Sequence, residues 1–164
     1  MKEIHTNIFV GDDTDCEICT EDHGFSIVHA CQTCHYRVQG GPLPSSAPGY
    51  LTFKKGHNLY LNLLDSLDEP LPEYAHPIFI NALDFIHKEL KAKKVLIHCN
   101  YGYSRSPSIG LAYLSAVNLI PNDFFEQAAE KFSVLYPKYA PGRGIALYLR
   151  HNWDFLVKDI LKLE

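Results

Sequence analysis

The sequence has a single Met and a single Trp, and it lacks any long apolar run, internal repeat, low-complexity tract or extended block of like charge. Without a run of about 20 apolar residues there is no candidate membrane-spanning helix. Without repeats or biased segments there is no solenoid or disordered tail to expect. A basic excess is also missing: 15 Lys and Arg stand against 19 Asp and Glu, a net charge of −4. That balance argues against broad binding to nucleic acid or anionic membranes, so any anion site must be local. The opening Met1-Lys2-Glu3-Ile4-His5 lacks the plan of a secretion signal, and a cytoplasmic location is the expectation. Five cysteines fit a reducing compartment better than a disulfide framework. What remains is 164 residues, 46% hydrophobic and 21% charged, which suits one globular domain over 1–164.

Apolar patterning alternates between strand and helix. Asn7 to Val10 reads as a short strand ending at Gly11, followed by an acidic segment, Asp12 to Asp22, that suits a capped helix. Phe25 to Ala30 is an apolar, β-branched run expected to be a buried strand. From Gln32 to Gly49 the glycines and prolines predict an extended loop. Leu51–Lys54 and Leu59–Leu63 suggest a hairpin. A helix over about 73–91 requires Pro77 in its first turn or a later start. After a strand over Lys94 to His98, helices are expected from about Pro107 to Val117, from Pro121 to about Leu135, and beyond Gly144 with Leu149, Trp153, Leu156, Ile160 and Leu163 facing the core. The sum is an α/β fold: a twisted, largely parallel central sheet flanked by helices on both faces, its central strand ending at Cys99.

The chemistry concentrates in Val95-Leu-Ile-His-Cys-Asn-Tyr-Gly-Tyr-Ser-Arg-Ser-Pro-Ser-Ile-Gly110. Seven residues from Cys99 to Arg105 can curl once around a tetrahedral anion, with backbone N–H groups inward and the following helix aiming its positive end at the same spot. Cys99 lies at the bottom of that bowl, where such donors favour a thiolate, a good nucleophile toward phosphorus. The Arg105 fork can hold two phosphoryl oxygens, and Gly102 allows a turn that a Cβ could forbid. Asn100, Tyr101, Gly102, Tyr103, Ser104 and Arg105 are thus the expected substrate-binding residues.

His98-Cys99-Asn100-Tyr101-Gly102-Tyr103-Ser104-Arg105-Ser106 resembles the H-C-x-x-G-x-S-R-S signature of the dual-specificity branch of the cysteine-dependent protein tyrosine phosphatases. The resemblance implies that family's phosphatase-like α/β fold and a two-step hydrolysis through a phosphocysteine, needing neither metal nor other cofactor. It also implies a general acid on the loop after a strand, matched here by Leu61-Asn62-Leu63-Leu64-Asp65-Ser66, so Asp65 is the expected acid, with Asp68 and Glu69 as competitors. Ser104 is expected to donate to the departing thiolate, with His98 and Ser106 in support. At Ala140-Pro141-Gly142-Arg143-Gly144 the chain has no Asn where many relatives place one, and Arg143 could hold a second anion or be a surface charge.

The loop has tyrosines where lysines would suit an inositide, so a phosphorylated protein is the expected partner, with phosphoinositide, nucleotide and RNA-end substrates as alternatives. A phosphate-binding pseudoenzyme or a rhodanese-like sulfurtransferase is a further alternative. Cys16-x-x-Cys19 and Cys31-x-x-Cys34 have the spacing of a four-thiolate zinc site, but a strand end and a helix suit that geometry poorly, and no metal is expected. Cys31-Gln-Thr-Cys34-His35 also imitates a haem-attachment motif, disfavoured in such a chain. By resemblance to lipid-phosphatase relatives, Cys31, followed by His35-Tyr36, could pair with the nucleophile as a redox partner, and Arg37 could line the rim; Cys31 could equally be a small buried hydrophobe.

Overall fold

Val95, Leu96 and Ile97 are fully buried because β6 (Lys94–His98) runs through the middle of the sheet with helices on both faces. The computed structural model describes residues 1–22 and 24–159. In it β6 pairs in parallel with β2 (Ile8–Gly11) on one side and β3 (Phe25–His29) on the other. β3 pairs in parallel with β5 (Asn58–Leu61). The two edges are antiparallel, β1 (Lys2–His5) on β2 and β4 (Thr52–Lys55) on β5, giving the order β1-β2-β6-β3-β5-β4. Charged residues occupy these edges, Lys2 and Glu3 on one and Lys54 and Lys55 on the other, which discourages further strand pairing.

Alternate side chains of the inner strands feed two apolar layers. Ile27 and Leu96 pack with Cys19 of α1 (Asp13–Glu21). Val28, Val95 and Ile97 belong to the main core with α3 (Pro72–Glu89) and α4 (Arg105–Ala116), while α2 (Gln32–Gln39) lies against β5. α5 (Phe125–Leu135) packs on α4, and α6 (Arg143–His151) on α5. A reciprocal cap fixes the start of α1: Asp12 accepts from the Thr14 and Asp15 N–H groups, and the Asp15 carboxylate accepts from Asp12 N–H. No helix among the described residues is long and apolar enough to cross a membrane.

Several element boundaries differ from the sequence expectation. The Gln32–Gly49 segment is not all loop, since α2 occupies its first half and closes at Gly40; the glycines and prolines cluster only beyond that point. β1 is an additional edge strand, too short and charged to stand out. α3 starts at Pro72, so Pro77 lies in its second turn, removing the bond to the Glu73 carbonyl without ending the helix. α4 starts at Arg105, which puts Pro107 in the first turn where its missing N–H is harmless. Pro121 does not open α5, which begins at Phe125; the preceding connection is held by side chains, with Ser115 Oγ donating to the Pro121 carbonyl and Trp153 Nε1 to the Asn122 carbonyl. Trp153 and Leu156 are buried beyond α6, near a π-helical turn at Phe155–Asp159, while Ile160 and Leu163 lie outside the described residues.

Phe79 on α3 is fully buried in the main core, so Phe79→Ala should cost about 3–5 kcal/mol through lost transfer energy and the cavity left behind. Val134, 72% exposed on α5, serves as the control, with Val134→Ala staying within about 0.5 kcal/mol. Urea unfolding of the two variants checks this.

Candidate active site

The ends of β2 and β6 lie side by side, Gly11 opposite His98, so the chain leaving β6 begins its loop against the Gly11 carbonyl. Cys99 N–H donates to that carbonyl at 3.4 Å. Ser106 Oγ lies 3.2 Å from the same carbonyl oxygen and 3.2 Å from Cys99 Sγ, so its hydroxyl proton can be offered to the sulfur. Cys99 itself is 2% exposed, a sulfur at the floor of a bowl. The hydroxyl on the sulfur is therefore that of Ser106, not of Ser104 as expected. Ser106 lies in the first turn of α4, where side chains lean back toward the helix start, whereas Ser104 precedes the helix and is buried facing Asp65 and Gly142. Ser104 Oγ accepts from Gly142 N–H at 2.8 Å and donates to Asp65 Oδ1 at 3.0 Å.

Arg105 is buried at the side of this bowl. Its Nη1 donates to the Leu63 carbonyl at 3.2 Å and its Nη2 to Asn100 Oδ1 at 2.8 Å, which fixes the plane of the guanidinium. Nε has no hydrogen-bond partner. A buried, charged N–H left unpaired is costly, and an anion seated in the loop satisfies it. Asn100 also donates to Asp13 Oδ2 and Thr33 Oγ1, both at 3.0 Å, so the arginine is tied through one amide to α1 and α2.

Of the three candidate acids, Asp65 faces this machinery. Its Oδ2 is 3.9 Å from Arg105 Nε, and its Oδ1 takes the Ser104 bond. A Cβ at position 142 would run into the Asp65 carboxylate, so the glycine there is what lets the 140–144 loop close on the acid. Asp68 uses its backbone N–H on Ser66 Oγ and packs its carbonyl beside Gly144, while Glu69 pairs with His151 at 2.9 Å. Arg143 is exposed at the start of α6. At the rim, Tyr101 and Tyr103 are exposed with near-parallel rings, centroids 6.3 Å apart and 15° between planes. Gly102 holds φ +73°, its carbonyl accepts from Tyr136 OH at 2.9 Å, and a Cβ on it would sit 3.1 Å from the Gly11 carbonyl oxygen. The parts played by the Leu63 carbonyl, by Thr33 and by the close approach at Gly142 are not legible in the sequence, because a backbone acceptor and a close approach leave no motif.

Behind the loop lies a line of buried polar groups. His98 Nε2 is 2.8 Å from His29 Nδ1, and His29 Nε2 is 3.0 Å from Asn58 Oδ1. Burial, with the neighbouring His29 adding to it, pushes His98 down to about 3, and burial pushes His29 down to about 4, so both rings are neutral. Cys31 precedes α2 and takes a hydrogen bond from Cys34, which holds the Cys31 thiol below its ordinary range and Cys34 above it. All five cysteines are free thiols. Cys16 lies 3.6 Å from His29 Nδ1, whereas Cys19 packs with Ile27 and Leu96, so the four-thiolate arrangement is not assembled among the described residues. Arg37 lines a cavity with Cys16, His29, Cys34 and Tyr60, away from the rim of the 99–105 loop where it was expected.

No family model matches the chain. Over 106 residues it is 32% identical to the dual specificity protein phosphatase YVH1 of Plasmodium falciparum, a match covering 63% of this chain and 18% of that protein. The chain therefore spans less than a fifth of that relative's length in the matched region. Among solved structures it is similar to DUSP15, with a TM-score of 0.66 at 17% identity over 100% of this chain and 96% of that one. It is also similar to a human tyrosine phosphatase-like serine/threonine/tyrosine-interacting protein, with a TM-score of 0.64 at 20% identity over 94% of this chain and 96% of that one. The structural likenesses establish the fold, and the sequence likeness over 106 residues is to a dual specificity protein phosphatase.

Proposed function

We propose that the chain hydrolyses phosphomonoesters through a phosphocysteine on Cys99, as a protein tyrosine or dual-specificity phosphatase. The observation that carries this reading is one loop holding a buried sulfur with a hydroxyl 3.2 Å away and a buried arginine whose Nε has no hydrogen-bond partner. Arg105 and the loop N–H groups, together with the N-terminus of α4, supply the positive field that a phosphoryl group needs.

In the first step Cys99 sulfur attacks phosphorus in line with the leaving oxygen. The S–P bond forms as the P–O bond breaks, and the Asp65 carboxylic acid gives its proton to that oxygen. In the second step water attacks the same phosphorus, Asp65 takes its proton, and the S–P bond breaks to release phosphate and the thiolate. Ser106 donates to the departing sulfur. Asn100 holds the Arg105 plane, and Ser104 holds Asp65 over the bowl. Phosphorylated protein is the substrate class we favour: the exposed Tyr101 and Tyr103 rings offer flat contact to a peptide at the rim, and the loop carries no lysine for a polyanionic headgroup. An adjoining cavity of about 320 Å³, lined by Tyr50, Leu64, Leu71, Tyr74 and Ile78 among others, gives an apolar side chain of such a peptide somewhere to sit. A reducing compartment such as the cytoplasm, which keeps thiols reduced, suits this nucleophile.

Release of phosphate from p-nitrophenyl phosphate, then from phosphopeptides beside phosphoinositides and nucleotides, tests the reading. Cys99→Ser and Arg105→Lys should each remove nearly all turnover while thermal unfolding shows a folded protein; near-normal rates in either would refute it.

Asp65→Asn should lower kcat by about 10²- to 10⁴-fold, with a smaller loss on substrates whose leaving group needs no proton, and Asp68→Asn should leave kcat near the parent value. If the two variants exchange behaviour, the acid is Asp68. Ser106→Ala should slow the second step by roughly 10- to 100-fold, the worth of a hydrogen bond to a charged sulfur, and pre-steady-state kinetics should show a burst of p-nitrophenol.

A further inference from the structure

The polar cluster behind the loop has a chemistry that the phosphatase reading does not use. Asp13, Cys31, Cys34 and His98 offer four ligand atoms that all lie within 4.8 Å of one another. Two of these residues carry buried atoms without a hydrogen-bond partner: His98, itself fully buried, at Nδ1, and Asp13 at Oδ1, the two atoms 3.4 Å apart.

The hydrogen-bond line fixes what His98 Nδ1 presents. With the Asn58 amide turned so that Oδ1 faces the ring, that oxygen can only accept, so His29 Nε2 carries the proton and His29 Nδ1 is a lone pair. His98 Nε2 must then donate to it, which leaves His98 Nδ1 as a lone pair as well. That lone pair faces a carboxylate oxygen, two acceptors with no proton between them. A cation resolves the conflict. A metal-bound imidazole commonly donates its other N–H to a neighbouring acceptor, the part His29 plays here.

We propose that Asp13, Cys31, Cys34 and His98 bind a zinc-class divalent cation that clasps α1, the start of α2 and the end of β6 behind the phosphate loop. Two thiolates, an imidazole and a carboxylate select a borderline-soft, four-coordinate ion over magnesium or calcium, which take oxygen ligands. Zinc bonds of about 2.0–2.3 Å at tetrahedral angles put ligand atoms roughly 3.3–3.8 Å apart, so the cluster needs to contract by about 1.5 Å at most. On binding, Cys31 and Cys34 give their protons to solvent, and two thiolates, the Asp13 carboxylate and a neutral ring around the ion leave the occupied site with a net charge of −1. The ion reaches the cluster past Cys34, which lines an open cavity of about 580 Å³. Cys16, His29 and His98 form a second, overlapping group, but there His29 Nδ1 and His98 Nε2 already satisfy each other. Through Asp13 the ion would brace Asn100, and through it Arg105.

Cobalt titration of the reduced, chelator-treated chain tests the site independently of any phosphatase activity. One equivalent of Co²⁺ should give tetrahedral d–d bands and a sulfur-to-cobalt charge-transfer band, lost on adding Zn²⁺. Cys31→Ser and Cys34→Ser should each weaken that band and its affinity by at least 10-fold, while Cys19→Ser and Cys99→Ser keep both. Because a cysteine variant can fail to fold, mapping of iodoacetamide labelling in the unaltered chain supplies a second reading: Zn²⁺ should protect Cys31 and Cys34 and leave Cys16 labelling unchanged. Absence of a stoichiometric tetrahedral complex, a complex indifferent to Cys31 and Cys34, protection of Cys16 in their place, or no protection at all would each overturn the proposal.

Discussion

The carbonyl of Gly11 anchors the whole site. It accepts from Cys99 N–H and lies 3.2 Å from Ser106 Oγ, and Gly102 packs so closely against it that a Cβ would come within 3.1 Å. Three points of a seven-residue loop and the first turn of α4 are thus referred to one oxygen at the end of a buried parallel strand. Parallel pairing of β2 with β6 delivers that oxygen, since it brings both strands to the same edge at Gly11 and His98. The depth of Cys99, the direction of the Ser106 hydroxyl and the curl of the loop follow from it. Ligands of open α/β sheets collect at this edge because the strand ends and helix N-termini meet there.

Around that anchor the charged groups are held from two sides. From one, the segment after β5 brings the Leu63 carbonyl onto Arg105 and Asp65 close to it, and Ser104 and Gly142 fix the carboxylate. From the other, Asp13 and Thr33 hold Asn100, which holds the second arm of the guanidinium. The arginine is oriented by these contacts alone, so in the proposed reaction little ordering is left to do when a phosphoryl group binds. A cation on Asp13, Cys31, Cys34 and His98 would stiffen the second of these two supports.

What the sequence made legible was local: the apolar run of β6, the seven-residue span from Cys99 to Arg105, the Asp12 cap of α1 and the alternation that yields a largely parallel sheet. Each depends on residues near one another in the chain. The exchange of Ser104 for Ser106 on the sulfur turned on where α4 opens: Ser106 sits in its first turn beside Cys99, while Ser104 precedes the helix and bonds Asp65 and Gly142. α2 was hidden because Gly40, Gly41 and the prolines beyond coloured the whole Gln32–Gly49 segment. Cysteine spacing pointed to a pairing of Cys16 and Cys19 with Cys31 and Cys34. The fold instead sends Cys19 into the layer with Ile27 and Leu96 and brings Asp13 and His98, distant in sequence, to the second pair.

In the proposed reaction Cys99 carries the phosphoryl group between the two steps. Acid-quenched turnover followed by peptide mass spectrometry measures this directly. A phosphate adduct on the Cys99 peptide is expected, present only while substrate is being consumed and more abundant in Ser106→Ala. Turnover with no adduct on Cys99, or with the phosphoryl group on another residue, would contradict it.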